Sequence, residues 1–176
     1  MDRLTDEALV RRANAGDRRA LEAIYRRHRS FVLALARRFT GNPADAQDVM
    51  QEVFGELFGR FPGFRLSSTL RAWLYPVVKN RCISLHRKRR PVVDLSEIRD
   101  GPRLKVDPAE CSGDFERLLA VLPETHREVV YLRFAHGLKI DEIAQALSIS
   151  AGTVKSRLHY ALKRLRSAHA DLEPEE

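Results

Sequence analysis

The chain has 176 residues, enough for one ordinary domain or two small ones, and 44% of them are hydrophobic, which is sufficient for folded cores. A formal charge of +7 favours a polyanionic partner, nucleic acid or an anionic membrane surface. No apolar run approaches the roughly 20 residues that a bilayer span needs, and the opening MDRLTDEALVRR lacks the apolar core of a signal peptide, so a cytoplasmic protein without membrane insertion is expected. Two cysteines, Cys82 and Cys111, make no disulfide framework, and neither CxxC nor HExxH spacing occurs. Cys82 and His86 stand four apart on a predicted helix but supply only half the ligands of a structural zinc site, so no cofactor and no metal are expected.

In chain order the periodicity is helical throughout, with no convincing period-two strand, and the predicted class is all-α. Thr5 caps a first helix that Asn14-Ala15-Gly16 ends, and Asp17 caps the next, whose Leu21, Ile24, Tyr25, His28, Val32, Leu35 and Phe39 recur at helical steps. Asn42 and Pro43 then start a third helix as cap and first residue, reaching about Phe58. After the loop RFPGFRLSS a fourth helix is predicted from near Thr69 to about Arg89, ended by Pro91. Residues 91–112 carry three prolines and a glycine without sustained periodicity and read as a linker. Beyond it, helices are predicted from Asp114 to Val121, Pro123 to Ala135, Ile140 to Leu147 and Ala151 to Ala168, followed by the acidic tail 171–176. The result is two unlike helical domains on a tether.

The most telling stretch is IDEIAQALSISAGTVKSRLHYALKRL. An eight-residue helix with Ile143, Ala144 and Leu147 inward meets a turn at Ser148 to Ser150, and Ile149 is placed to plug the corner. Val154, Leu158, Ala161, Leu162 and Leu165 make the apolar stripe of the second helix. The other side carries Thr153, Lys155, Ser156, His159, Tyr160 and Lys163, donors of several lengths, while Ser150 caps a helix end able to hold a phosphate. A basic helix alone is more often a solvated face. The package of helix, tight turn and capped second helix, with no acid from Lys155 to Arg166, points to a DNA-reading helix-turn-helix.

Two further constellations sit in the first half. Asp45, Asp48, Glu52 and Glu56 share a helix face at steps of three, four and four, with no basic residue from Phe39 to Gly59. That stripe is either a solvated face or a surface for a basic protein partner. In STLRAWLYPVVKNRCISLHRKRRP, Lys79, Arg81, Arg87, Lys88, Arg89 and Arg90 interleave with Trp73, Tyr75, Asn80 and His86, the combination of ring faces and charges that single-stranded nucleic acid needs. Trp73 can equally be core. The preceding Phe61 and Phe64 either cover a core or wall a pocket for an extruded base.

Taken together, DEALVRRANAGDRRALEAIYRRH, DAQDVMQEVF, the block from Phe64 through STLRAWLY to Asn80 and Arg87, and LPETHREVVYLRF with GLKIDEIAQALSIS and GTVKSRL resemble the extracytoplasmic-function group of bacterial RNA polymerase sigma factors. The resemblance implies a sigma-2 domain over residues 1–90 and a sigma-4 domain over 113–170. It implies core RNA polymerase, through its largest-subunit clamp helices and its flap region, and promoter DNA as partners, and an anti-sigma factor as regulator. By the same resemblance Asp45, Asp48, Gln51 and Glu52 dock on polymerase. Phe64, Trp73, Tyr75, Asn80, Arg87, Arg89 and Arg90 engage the opened -10 element. Arg133, Thr153, Lys155, Ser156, Arg157, His159, Tyr160 and Lys163 serve the -35 element. The chain departs from the family's usual pattern at Pro76, inside a helix; at Ser84, often aspartate; at Lys139, usually Ser, Thr or Tyr; and at Ser148, often glycine. No nucleophile, base and oxyanion site assemble, so no enzyme is expected. A freestanding helix-turn-helix regulator leaves the acidic stripe unexplained, and a nuclease would need clustered metal-binding carboxylates.

Overall fold

The computed structural model describes residues 3–89 and 119–170; the expectations for Arg90, Pro91, Cys111, the linker, most of the helix from Asp114 and the acidic tail lie outside the described residues. Among the described residues all regular structure is helical. The chain divides into two compact units, Met1–Arg103 and Leu104–Glu176.

In the first unit α1 spans Asp6–Asn14, α2 Arg18–Thr40, α3 Pro43–Gly59 and α4 Leu70–Arg89. The starts follow the local chemistry. Thr5 accepts from the Ala8 amide, Asp17 from Arg19, and Asn42 from both Ala44 and Asp45, each satisfying a donor that a helix end leaves over. Gly41 ends α2 at φ 66°, a left-handed cap. The long α2 packs against each of the other three helices. Its Ile24, Phe31, Val32, Leu35 and Phe39 meet Leu9 of α1, Val53 and Leu57 of α3, and Leu70, Leu74 and Val78 of α4 in one buried set. α1 is also pinned by charge: Asp6 takes Arg27 Nη1 at 2.8 Å and buried His28 Nε2 at 3.1 Å. Burial pushes the Asp6 carboxyl up, but the His28 and Arg27 contacts outweigh it and leave it below the usual range.

α4 continues unbroken across Pro76. A proline at the seventh position forfeits one ladder bond, at a cost of about 3 kcal/mol in an unsupported helix. Here Leu74, Tyr75 and Val78 on either side are buried, and their packing offsets the lost bond.

In the second unit α5 spans Glu124–Val130 and passes directly into a π-helical turn, Tyr131–Ala135; α6 spans Ile140–Leu147 and α7 Ala151–Ala170. The single α-helix predicted from Pro123 to Ala135 thus widens in its last turn, where the Leu138 amide reaches back to the Leu132 carbonyl at 3.1 Å and Gly137 takes φ 67°. Arg127 fastens the residues just before α5 by donating to the carbonyls of Leu119 and Leu122, both at 2.9 Å. On α6 it is Ile143 and Ala146 that are buried, while Ala144 and Leu147, expected inward, are half-buried; α7 contributes Val154 and Ala161. Lys139 has no side-chain acceptor to cap α6, so only the reverse bond forms, from its amide to Glu142 at 2.7 Å. The turn between α6 and α7 places Ser148 at φ 54°, the only non-glycine residue in left-handed backbone among the described residues.

Candidate nucleic-acid interface

In the first unit the candidate site is one face of α4 with the loop before it. Trp73, Val77, Asn80, Ser84 and Arg87 follow at steps of four, three, four and three, so they line up along the helix. From Trp73 to Arg87 the line is roughly 21 Å long at 1.5 Å per residue. Asn80 and Arg87 are exposed and Trp73 is half-buried. Asn80 opens on a cleft of about 240 Å³ lined also by Glu56, Val77, Arg81 and Ser84.

Tyr75 corrects its expectation. Two residues beyond Trp73 a helix has turned about 200°, and Tyr75 is 0% exposed, edge-on to Phe39 at 6.2 Å. It is core and presents no ring face to nucleic acid. Phe64, 6% exposed, also lies inside: it packs against Phe61 at 5.3 Å and edge-on against Trp73 at 5.2 Å. Over the same indole sits the Arg60 guanidinium, 5.2 Å from the ring centroid.

Arg60 is itself held by Glu56 Oε1 at 2.9 Å, and Glu56 Oε2 takes Arg81 Nη2 at 2.7 Å. These two bonds, Arg81 first, hold the Glu56 carboxyl below its usual range and raise Arg81. Glu56 therefore leaves the acidic stripe and joins α3 to α4. Asp45 leaves it too: it is 6% exposed in the first turn of α3, where the positive end of the helix favours a carboxylate. What faces solvent on α3 is Asp48, Gln51 and Glu52, the last 3.6 Å from Arg81.

Cys82 lies in the core beneath this face, and burial pushes its thiol up to about 12, which keeps it protonated at neutral pH. His86 is engaged elsewhere, with Nε2 3.1 Å from the Phe39 carbonyl oxygen. Among the described residues no three His, Cys, Asp or Glu side chains are grouped to hold a metal ion. No described helix is long and apolar enough to cross a membrane.

In the second unit the site is the outward side of α7. Ser150 Oγ accepts from the Thr153 amide at 3.0 Å and caps the helix. Lys155, Ser156, His159, Tyr160 and Lys163 are exposed, Tyr160 by 62%, and the His159 and Tyr160 rings lie edge to face at 5.6 Å. Ser156 donates back to the Gly152 carbonyl at 3.0 Å, so it meets a ligand as an acceptor. Thr153 and Arg157 are half-buried at the flanks. Burial, then the charges of Arg157 and Arg164, push the His126 imidazole of α5 down, so this flank reaches α5. Arg133, predicted to support DNA contact, is exposed but gives Nη1 to the Leu138 carbonyl at 2.9 Å, bracing the turn into α6.

Two residues that organise the first site, Asn14 and Arg60, carry no site signal in the sequence, and Glu56 and Arg81, which read there as parts of the acidic stripe and the basic block, pair with each other. Asn14 binds the loop 50 residues away. Its only sequence signal was that of a helix end.

Against known proteins, residues 24–92 match Sigma-70 region 2 and residues 118–167 match Sigma-70, region 4. The chain is 34% identical to the ECF RNA polymerase sigma factor SigL of Mycobacterium tuberculosis, covering 90% of this chain and 94% of that one. It is 27% identical to SigW of Bacillus subtilis, covering 93% and 96%. Among solved structures it is similar to CnrH, bound there to the cytosolic domain of CnrY, with a TM-score of 0.67 and 27% identity over 96% of this chain and 99% of that one. It is similar also to the sigma factor RpoE of Bartonella quintana, in complex with the anti-sigma factor NepR, with a TM-score of 0.60 and 26% identity over 83% and 94%.

Proposed function

The chain belongs to the extracytoplasmic-function group of RNA polymerase sigma factors, and from that premise we propose how its residues divide the work of promoter-specific initiation. A protein of this group binds core RNA polymerase and directs it to -10 and -35 elements. We assign residues 1–90 to polymerase binding and to recognition and opening of the -10 element, residues 113–170 to the -35 element, and 91–112 to the connection between them. Two modules on a tether gain affinity for one extended site through effective concentration.

On α3, Asp48, Gln51 and Glu52 form the docking face for a basic polymerase surface. Along α4, Trp73 offers a stacking surface once the exposed Arg60 guanidinium over its ring gives way, Asn80 the polar groups at the mouth of the cleft, and Arg87 a charge for the backbone of the displaced strand, with Arg89 and Arg90 next in sequence adding to that charge. Holding a base outside the stack offsets the few kcal/mol that unstacking costs. On α7, Lys155, His159 and Tyr160 read the major groove while Thr153, Arg157 and Lys163 hold phosphates, with Arg133 and Ser156 in support.

Polymerase performs nucleotide addition, and this chain contributes no catalytic step. Its place of work is the cytoplasm. An anti-sigma factor, the class of partner seen on RpoE, is its proposed regulator. The observation that carries the reading is the single line of Trp73, Asn80 and Arg87 on α4, present in the same chain as an exposed, capped and basic α7. Core polymerase freed of other initiation factors, given this protein and fragmented genomic DNA, is expected to produce new RNA 5′ ends sharing two spaced upstream elements. Duplex binding without new starts would instead favour a freestanding regulator.

A further inference from the structure

Resting on that reading of the loop before α4, we infer that Asn14 is a positioning residue for base capture, acting through the backbone of residues Gly63 and Phe64. Asn14 is the last residue of α1, a helix whose other visible duty is to cover α2. Its amide is turned on the distant loop. Oδ1 accepts from the Gly63 amide at 2.7 Å and from the Phe64 amide at 3.1 Å, and Nδ2 donates to the Phe64 carbonyl at 2.8 Å. An asparagine amide is the one neutral side chain of this length that can accept two such bonds and donate a third in one plane. The Phe64 backbone is thereby gripped on both its amide and its carbonyl.

The grip matters because of what Phe64 touches. Its ring is the support against which Trp73 packs, and Trp73 is the stacking surface of the proposed site. Gly63, at φ 106°, holds a backbone conformation that only glycine adopts without strain, and its amide is one of the two that Asn14 accepts from. The anchor is in turn held. Arg12 gives Nε and Nη2 to Asp17 Oδ2, both at 2.8 Å, across the turn that follows Asn14, and Asp17 caps α2. The α1–α2 turn is thus a fixed point from which the aromatic platform is registered. A site that must hold a base out of its stack needs such a supporting shell, because a loose platform loses orientation before it loses contact.

The test uses the full chain in complex with core polymerase and a single-stranded oligonucleotide carrying the non-template -10 element found by mapping starts. The measured quantity is the ratio of affinities for that strand and for one in which the captured base is abasic. In Asn14→Ala the ratio is expected to fall roughly tenfold, with core polymerase affinity and -35 duplex affinity unchanged. Asn14→Asp keeps both accepted bonds but sets a carboxylate oxygen against the Phe64 carbonyl in place of the donated bond, and is expected to recover only part of the ratio. Trp73→Ala serves as the comparison. If Asn14→Ala keeps the ratio of the unaltered chain while Trp73→Ala loses it, the positioning role is overturned and the reading of the loop stands. If both variants keep it, the reading of the loop falls and the role of Asn14 with it. A drop in core affinity that parallels the drop in ratio would assign Asn14 to general folding and overturn the proposal as well.

Discussion

Around Trp73 the protein has already spent its polar groups on itself, whereas along α7 the side chains offered to DNA stand in solvent. The loop before α4 is gripped by Asn14, its aromatic rings pack in series, and Arg60 over the indole is tied through Glu56 to Arg81. On α7, Lys155, His159, Tyr160 and Lys163 are exposed, and the order resides in the helix and its Ser150 cap. The difference follows from what each surface meets. Duplex DNA arrives ordered by its own stacking, so a reading helix needs rigid placement and can leave its side chains mobile. An unstacked base brings no order with it, so the platform must be rigid beforehand.

The largest expected effect breaks the open side of this contrast. Lys155→Ala combined with Tyr160→Ala removes two exposed side chains and is expected to weaken binding to the -35 duplex roughly 10- to 100-fold. The thermal midpoint and core polymerase affinity should stay as they were. Titrating fluorescent duplex checks this, and an equal loss of polymerase binding would show α7 to be a protein-docking surface.

The built side is tested through Glu56. Replacing it by glutamine strips the charge that holds both Arg60 and Arg81, and is expected to cost the first unit about 1 kcal/mol, less at high salt. The sign with pH is set by the depressed carboxyl. The ionised carboxylate contributes its full stabilisation above the ordinary value of 4.5 and loses it as pH falls through the lower folded value. Denaturation of the unaltered chain between pH 6 and 3 should therefore show a slope that Glu56→Gln partly flattens. Parallel curves would mean that solvent screens the pairs.

The smallest effect sharpens the geometry of α7. Ser148 holds φ 54° with a side chain, where glycine would be unstrained. Ser148→Gly is expected to stabilise the second unit by roughly 0.5 kcal/mol, the relief of strain exceeding the extra chain entropy of glycine. Chemical denaturation measures it; a destabilised variant would show that the serine hydroxyl supports the turn.

What the sequence by itself determined is whatever depends on neighbours a few residues apart. Thr5, Asp17, Asn42 and Ser150 cap helices as predicted, because a cap bonds an amide two or three residues on. The outward set of α7 was legible for the same reason, since its apolar stripe at helical spacing assigns the opposite face. The tertiary structure alone decided which face of α4 turns inward. Trp73 and Tyr75 are equally aromatic in sequence, and only the packing of α4 against α2 buries Tyr75 fully and leaves Trp73 half-buried. It likewise withdrew Glu56 from the acidic stripe by bringing up an arginine 25 residues away, and it set Asn14 against a loop 50 residues distant. A carboxylate or an amide carries the same sequence signal whether it meets water or a guanidinium. Its partner is chosen by the closure of the helices, and that depends on the whole buried set at once.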